Sequence, residues 1–207
     1  MSGLQVACHA IGDRAMKMVF EAYKNAMEKC PKDDPRFRII HCQITTEEIL
    51  NKCKEYNVIA DIQPIFVSSD QSIVEERVGK ERARWSYNWK SLLDRGVHMA
   101  AGSDSPVESF NPLWGIYVAV TRKNLKGYPE GGWLPDQKLT VEQAVCIYTI
   151  GLTYCTYEEN IKGSITPGML ADMVVLSEDI FSIDPDNIKE VKVEKTFVGG
   201  RLVYAQK

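Results

Sequence analysis

The sequence predicts an α/β protein with parallel strands, and three observations predict it. Three short apolar runs, Val6-Ala7-Cys8-His9, Arg38-Ile39-Ile40-His41 and Met99-Ala100-Ala101-Gly102-Ser103-Asp104, each close on a residue able to ligate a metal. Such runs are too short for an ordinary helix and read as strands buried on both faces. Strand-then-helix units recur in order along the first part of the chain, which argues for a parallel sheet. A polar residue at the carboxyl end of successive parallel strands is also how a β/α barrel assembles its active site. Four such units fall short of the eight that close a barrel. Two architectures therefore stay open: an open four-stranded α/β domain, or the back half of a barrel.

Residues 4–9 read as the first strand. Residues 14–29 follow as a helix, with Ala15, Val19, Ala22, Tyr23 and Ala26 as its apolar stripe. The second strand is 37–41. Thr45-Thr46-Glu47-Glu48 then offers an N-cap with acidic residues in the first turn, where they complement the helix dipole, and that helix runs to about Tyr56. The third strand, 58–63, is closed by Pro64, which cannot donate to a ladder. The charged stretch 68–84 mixes signs and reads as a solvated helix face. Residues 89–95 end a helix that Gly96 caps, and 97–101 form the fourth strand. Residues 111–124 read as an amphipathic, aromatic helix and 126–137 as an exposed loop rich in Gly and Pro. Thr140-Val141-Glu142-Gln143 opens another helix with a capping-box pattern, running to about Gly151. After a turn-rich joint at 163–168 come strands at 172–176, 191–198 and 201–204, the last two joined by Gly199-Gly200 as a hairpin.

Composition narrows the function classes. The 207 residues suit one large domain, or one domain with a small appendage. A net charge of −3 gives no field favouring nucleic acid or an anionic membrane, and no apolar run is long enough to span a bilayer. No nucleic-acid or membrane partner is expected. The six cysteines include no C-x-x-C pair, which argues against a structural zinc ribbon. Several lie in apolar runs, so reduced thiols and a cytoplasmic location are expected, in keeping with the lack of a signal-peptide pattern ahead of the first strand.

Five segments in order carry a family resemblance: His9-Ala10-Ile11-Gly12-Asp13-Arg14-Ala15, Ile40-His41-Cys42-Gln43, Gly102-Ser103-Asp104-Ser105-Pro106-Val107, Ala119-Val120-Thr121-Arg122 and Gly163-Ser164-Ile165-Thr166-Pro167-Gly168-Met169-Leu170-Ala171-Asp172. Together they resemble the metal-dependent amidohydrolase superfamily, in particular its amidohydrolase-3 branch, which includes N-substituted formamide deformylase-like proteins. The resemblance implies a partial (β/α)8 TIM-type barrel, strands five to eight, over residues 1–162. Residues 163–207 would supply the C-terminal strands of a small β-sandwich. It also implies a divalent metal, zinc by preference, held by His9, His41 and Asp104, with Asp104 as general base and acid. The family's strand-one His-x-His pair is missing, since the histidines are His9, His41 and His98. The chain therefore resembles the C-terminal half of an amidohydrolase.

Each candidate has a blander reading. A lone strand-end histidine is usually structural, but two of them beside an aspartate from a third strand point to a metal. Asp104 can instead cap a helix, since Ser103-Asp104-Ser105-Pro106 resembles a cap followed by proline in the first turn. Asp13 and Arg14 can pair, cap a helix or touch substrate. Gln63, at the end of the third strand, can hydrogen-bond substrate, and Arg122 can pair with a carboxylate. His98 lies at the opposite end of its strand from Asp104 and reads as structural. Trp85 and Trp89 read as core, and Trp114 or Trp133 as a wall of a substrate pocket. The resulting expectation is a fragment of a hydrolase acting on a carbon–nitrogen bond of a small amide or formamide through metal-activated water. The isolated chain is expected to be inactive or impaired, with or without a bound ion. The alternative is an inactive remnant that self-associates through an open barrel edge, and a homo-oligomer is expected in either case. The hydrolase reading requires the two imidazoles and the Asp104 carboxylate to converge on one point.

Overall fold

Four parallel strands, β1 (Ala7–Ala10), β2 (Arg38–His41), β3 (Ile59–Ile62) and β4 (Met99–Ala101), lie side by side in chain order in the computed structural model, which describes residues 4–206. Parallel neighbours need crossovers, and helices supply them. α1 (Asp13–Lys29) joins β1 to β2, and α2 (Glu47–Glu55) joins β2 to β3. Between β3 and β4 run α3 (Phe66–Asp70), α4 (Val74–Val78), α5 (Lys80–Ala83) and α6 (Trp89–Asp94). After β4 come α7 (Pro112–Thr121), α8 (Val141–Tyr148) and α9 (Ile150–Cys155). A separate antiparallel sheet, β5 (Met173–Leu176), β6 (Val193–Val198) and β7 (Arg201–Ala205), ends the described chain. Its last hairpin turns at Gly199 and Gly200, with φ of 56° and 77°, values that glycine adopts without steric cost.

The register divides the parallel sheet into two faces. Ala10, Ile39, Ala60, Ile62, Met99 and Ala101 point into the main core, against Met16, Phe20 and Tyr23 of α1 and Ile49, Leu50 and Cys53 of α2. Each large side chain buried there contributes about 2 kcal/mol relative to exposure. On the other face His9 lies level with Ile40, and Ile40 with Asp61. One turn of the pleat below Ile40, Arg38 forms an ion pair with Asp61 across β2 and β3. The lower part of that face is closed by a second small cluster, Ile59 and Ala100 against Cys155 of α9, so it opens at the histidine end.

The α/β class and the parallel sheet match the sequence reading, and local differences have physical causes. The buried stripe of α1 is Met16, Phe20 and Tyr23, whereas Ala15, Ala22 and Ala26 are exposed. The three large side chains recur at helical spacing and bury far more area than alanines can. The 68–84 stretch breaks into short helices around Gly79, whose φ is 77°. No helix follows Asp104 directly. Residues 104–107 form a turn with a cis Ser105–Pro106 bond, and the next helix starts at Pro112, where the Asn111 side chain accepts from Leu113 N. The capping box at Thr140 forms as expected, but α8 stops at Tyr148 and α9 begins after Thr149.

Candidate functional site

The ends of β1 and β2 bring two imidazoles together. The rings of His9 and His41 meet edge to face, with centroids 4.5 Å apart. By strict strand alternation His41 belongs on the core face with Ile39. His41 and Cys42 instead adopt φ of 75° and 46°, a left-handed bend that costs on the order of 1–2 kcal/mol for such residues. This bend lets the His41 ring reach His9 while Cys42 stays fully buried in the core. Phe66 of α3 stacks on the His41 ring, with centroids 5.9 Å apart and planes 18° apart.

Gln63, just beyond β3, fixes the His41 tautomer. Its Oε1 accepts from His41 Nδ1 at 2.7 Å, and its Nε2 donates to the Asp61 carbonyl at 3.2 Å. The second bond orients the amide, so Oε1 faces the ring and Nδ1 carries the proton. The Nε2 lone pair of His41 is then available to a ligand. This is the support that metal-binding histidines usually receive. In place of the expected substrate contact, Gln63 has both polar atoms engaged with protein and is buried.

Asp104 does not join the pair. Among the described residues no three His, Cys, Asp or Glu side chains are placed to share an ion. The topology explains this. β1 and β4 are opposite edges of the sheet, three strand spacings or about 14 Å apart if flat. His9 and His41 come from adjacent strands, whereas Asp104 sits exposed in the turn beyond β4, with φ of 57°. The donor chemistry still suits zinc in part: two nitrogen ligands lie side by side, one of them oriented by an outer hydrogen bond.

The arginines behave differently from the sequence expectation. Arg122 is fully buried in a left-handed position at the end of α7. Its Nε donates to the Trp133 carbonyl at 2.9 Å and its Nη1 to the Tyr87 carbonyl at 3.1 Å, while the guanidinium lies over the Trp89 and Trp133 rings. Burial pulls its pKa down to about 9. Arg122 thus ties a loop to the core, and no carboxylate pairs with it among the described residues. Arg14 is exposed at the start of α1, and the neighbouring Asp13 pairs with Arg82 at 2.8 Å. Trp133 packs on Arg122, and Trp114 donates from Nε1 to the Lys189 carbonyl, so each serves packing in place of the expected pocket wall. His98 stacks on Tyr154 with centroids 4.1 Å apart, which agrees with a structural role.

One group near the site carries no motif. Asp70, at the end of α3, accepts from Gln43 Nε2 at 3.0 Å and from the Tyr87 hydroxyl. Burial, and then the Asp70 carboxylate, push the Tyr87 phenol upward and keep it a donor. In the sequence Asp70 is one acid within a mixed-charge stretch, and nothing there marks it.

The model of the Amidohydrolase family matches residues 2–204. The chain belongs to the amidohydrolase family. YtcJ of Bacillus subtilis (strain 168), named as an amidohydrolase, is 38% identical over 203 residues, covering 98% of this chain and 38% of its own length. The N-substituted formamide deformylase of Arthrobacter pascens is 25% identical over 203 residues, covering 98% of this chain and 37% of its own. A crystal structure of an uncharacterized metal-dependent hydrolase from Pyrococcus horikoshii OT3 superposes with a TM-score of 0.76 at 30% identity, over 88% of this chain and 36% of that one. The chain therefore spans little more than a third of the length of these relatives. No helix among the described residues is long and apolar enough to cross a membrane.

Proposed function

We propose that this amidohydrolase chain is part of a metal-dependent hydrolase that cleaves a carbon–nitrogen bond, other than a peptide bond, in a small amide or formamide. Residues 1–162 would form strands five to eight of the barrel, and 163–207 part of a small β-sandwich. The supporting observation is the edge contact of His9 with a His41 whose tautomer Gln63 fixes. His9 and His41 would hold a divalent ion, zinc by preference, and Asp104, which stands apart from the pair in this chain, would complete their set only where further barrel strands close the site. Bound there, the ion supplies Lewis-acid polarisation of a carbonyl and acidifies water. In such a closed site Asp104 would take the proton of the attacking water as the C–O bond forms. It would then return that proton to the leaving nitrogen as the C–N bond breaks, giving a carboxylic acid and an amine. The site is proposed to act in the cytoplasm, where six free thiols persist.

A second reading, an inactive chain that associates with copies of itself, is favoured by the exposure of Val6 (45%) and Ile11 (37%) beside the β1 edge. Metal content separates the two. After purification with zinc present, the wild-type chain is expected to retain zinc, and His9→Ala and His41→Ala are each expected to lose it. Zinc retained by the wild type and unchanged by both substitutions rejects the hydrolase reading, and no zinc in the wild type favours the second reading for this chain. Turnover of a formamide by this chain alone is expected to be negligible, because two imidazoles do not complete a hydrolytic ligand set.

A further inference from the structure

A cavity of about 300 Å³ opens where the loops after all four parallel strands meet, lined by Ile11 after β1, Gln43 after β2, Phe66 after β3 and Val107 after β4. Phe66 is shared with the histidine pair, since it stacks on His41. The cavity therefore adjoins the candidate metal site. Most of its remaining wall is aliphatic, from Ile44, Ile73 and Val74. Its volume and mostly apolar lining are those of a small-molecule pocket with a few placed polar groups.

The charges in that wall are unequal. Asp70 and Glu108 both line it, against one cation, Arg77. Asp70 is half-buried and is held by neutral donors, Gln43 and Tyr87. Glu108 accepts from the Ser69 hydroxyl at 2.6 Å. Among the described residues neither carboxylate has an ion-pair partner, and Arg77 is exposed. Both bonds to Asp70 end on its Oδ2, so Oδ1 is left to pair with a ligand cation at the pocket wall.

We propose that this cavity is the specificity pocket of the site, and that it accepts a branched or cyclic apolar group ending in an ammonium that Asp70 reads. As the selector of the substrate's non-reacting end, this pocket rests on the hydrolase reading. Its ligand preference is testable without it. The probes are three near-isosteres titrated into the chain by calorimetry: cyclohexylmethylamine, cyclohexylmethanol and cyclohexanecarboxylate. The ammonium is expected to bind at least about tenfold tighter than the alcohol or the carboxylate, as one charge-assisted hydrogen bond allows. Asp70→Asn is expected to erase that preference. Ile73→Trp, which fills the cavity and leaves Asp70 in place, is expected to weaken all three probes. Methyl chemical-shift changes in the wild type are expected at Ile11, Ile44 and Val107. Equal binding of ammonium and alcohol, preference for the carboxylate, or shifts mapping elsewhere overturns the proposal. Zinc content of the wild-type chain, measured in parallel, keeps the two readings apart. Zinc retention without ammonium preference rejects the pocket alone, and ammonium preference with a zinc content that His9→Ala and His41→Ala leave unchanged rejects the hydrolase reading alone.

Discussion

His41 shows how much of a site is decided by one backbone torsion. Its φ of 75° takes the ring off the core face and sets it against His9 and Gln63. If Gln63 orients a ligand, Gln63→Ala is expected to weaken zinc binding about 10–100-fold with little change in circular dichroism, and Gln63→Glu, which keeps an acceptor, to weaken it less. Competition with a chromophoric chelator measures both, and equal affinity for all three proteins would show that the bond is incidental. Arg122 belongs at the same scale. Arg122→Ala takes the donor from the Trp133 carbonyl, leaves the Tyr87 carbonyl with the Trp89 N–H alone and opens a void beside Trp89. The expected cost is about 3 kcal/mol, read from urea unfolding. The histidines were legible because each closes an apolar run. The roles of Gln63 and Arg122 were not, because a polar residue in a motif looks the same whether it faces a ligand or a backbone carbonyl.

Elements carry their own constraints, most visibly where a helix crosses close to a strand. A Cβ on Gly151 of α9 would lie 2.2 Å from the Met99 carbonyl oxygen of β4. On Gly115 of α7 a Cβ would lie 1.9 Å from the Tyr148 hydroxyl, the far end of a side chain that can turn. Gly151→Ala is therefore expected to cost more than Gly115→Ala, about 3 kcal/mol against about 1 kcal/mol, since backbone cannot step aside as a side chain can. Thermal denaturation of the two variants tests the order, and a reversed order would mean that α9 shifts freely over β4. These close approaches could not be read from the sequence, where both glycines sit within helical patterns. Strand positions and helix boundaries were legible to within a few residues, because periodicity and caps such as Thr46 and Thr140 are local. In the α1 stripe, Val19 and Tyr23 do face the core, and Ala15, Ala22 and Ala26 do not, for a related reason. Alanines satisfy a helical period as well as Met16 and Phe20 do, but they bury too little area to choose the face.

Across the whole molecule, charge and open edges set the response to pH and concentration. Hydrogen bonds from Lys17 and Lys52 hold the Glu48 carboxyl at about 2, against a usual 4.5. The Glu158 and Glu159 carboxyls are lowered by Lys162 and Arg36 respectively. A lowered folded pKa means that the unfolded chain binds more protons, so this stability is present above about 4.5 and is lost as pH falls toward 2. His98, lowered by burial, has the same sign and begins the decline from its usual 6.5. The melting temperature is expected to fall gently below pH 6.5 and steeply below 4.5. Glu48→Gln should flatten the steep limb, and an unaltered limb would remove Glu48 from the account. The outer edges of β1 and β4 have no strand partner among the described residues, and Val174, Val198 and Val203 are about half exposed on the smaller sheet. Unpaired edges beside exposed valines favour strand addition from another copy. Sedimentation velocity over about 10–500 µM should show concentration-dependent association. Val6→Lys with Val203→Lys should shift it toward monomer, because a lysine on an edge repels its copy while neither exposed position contributes to the core. A wild-type chain that stays monomeric across that range would mean that these edges are already protected in solution.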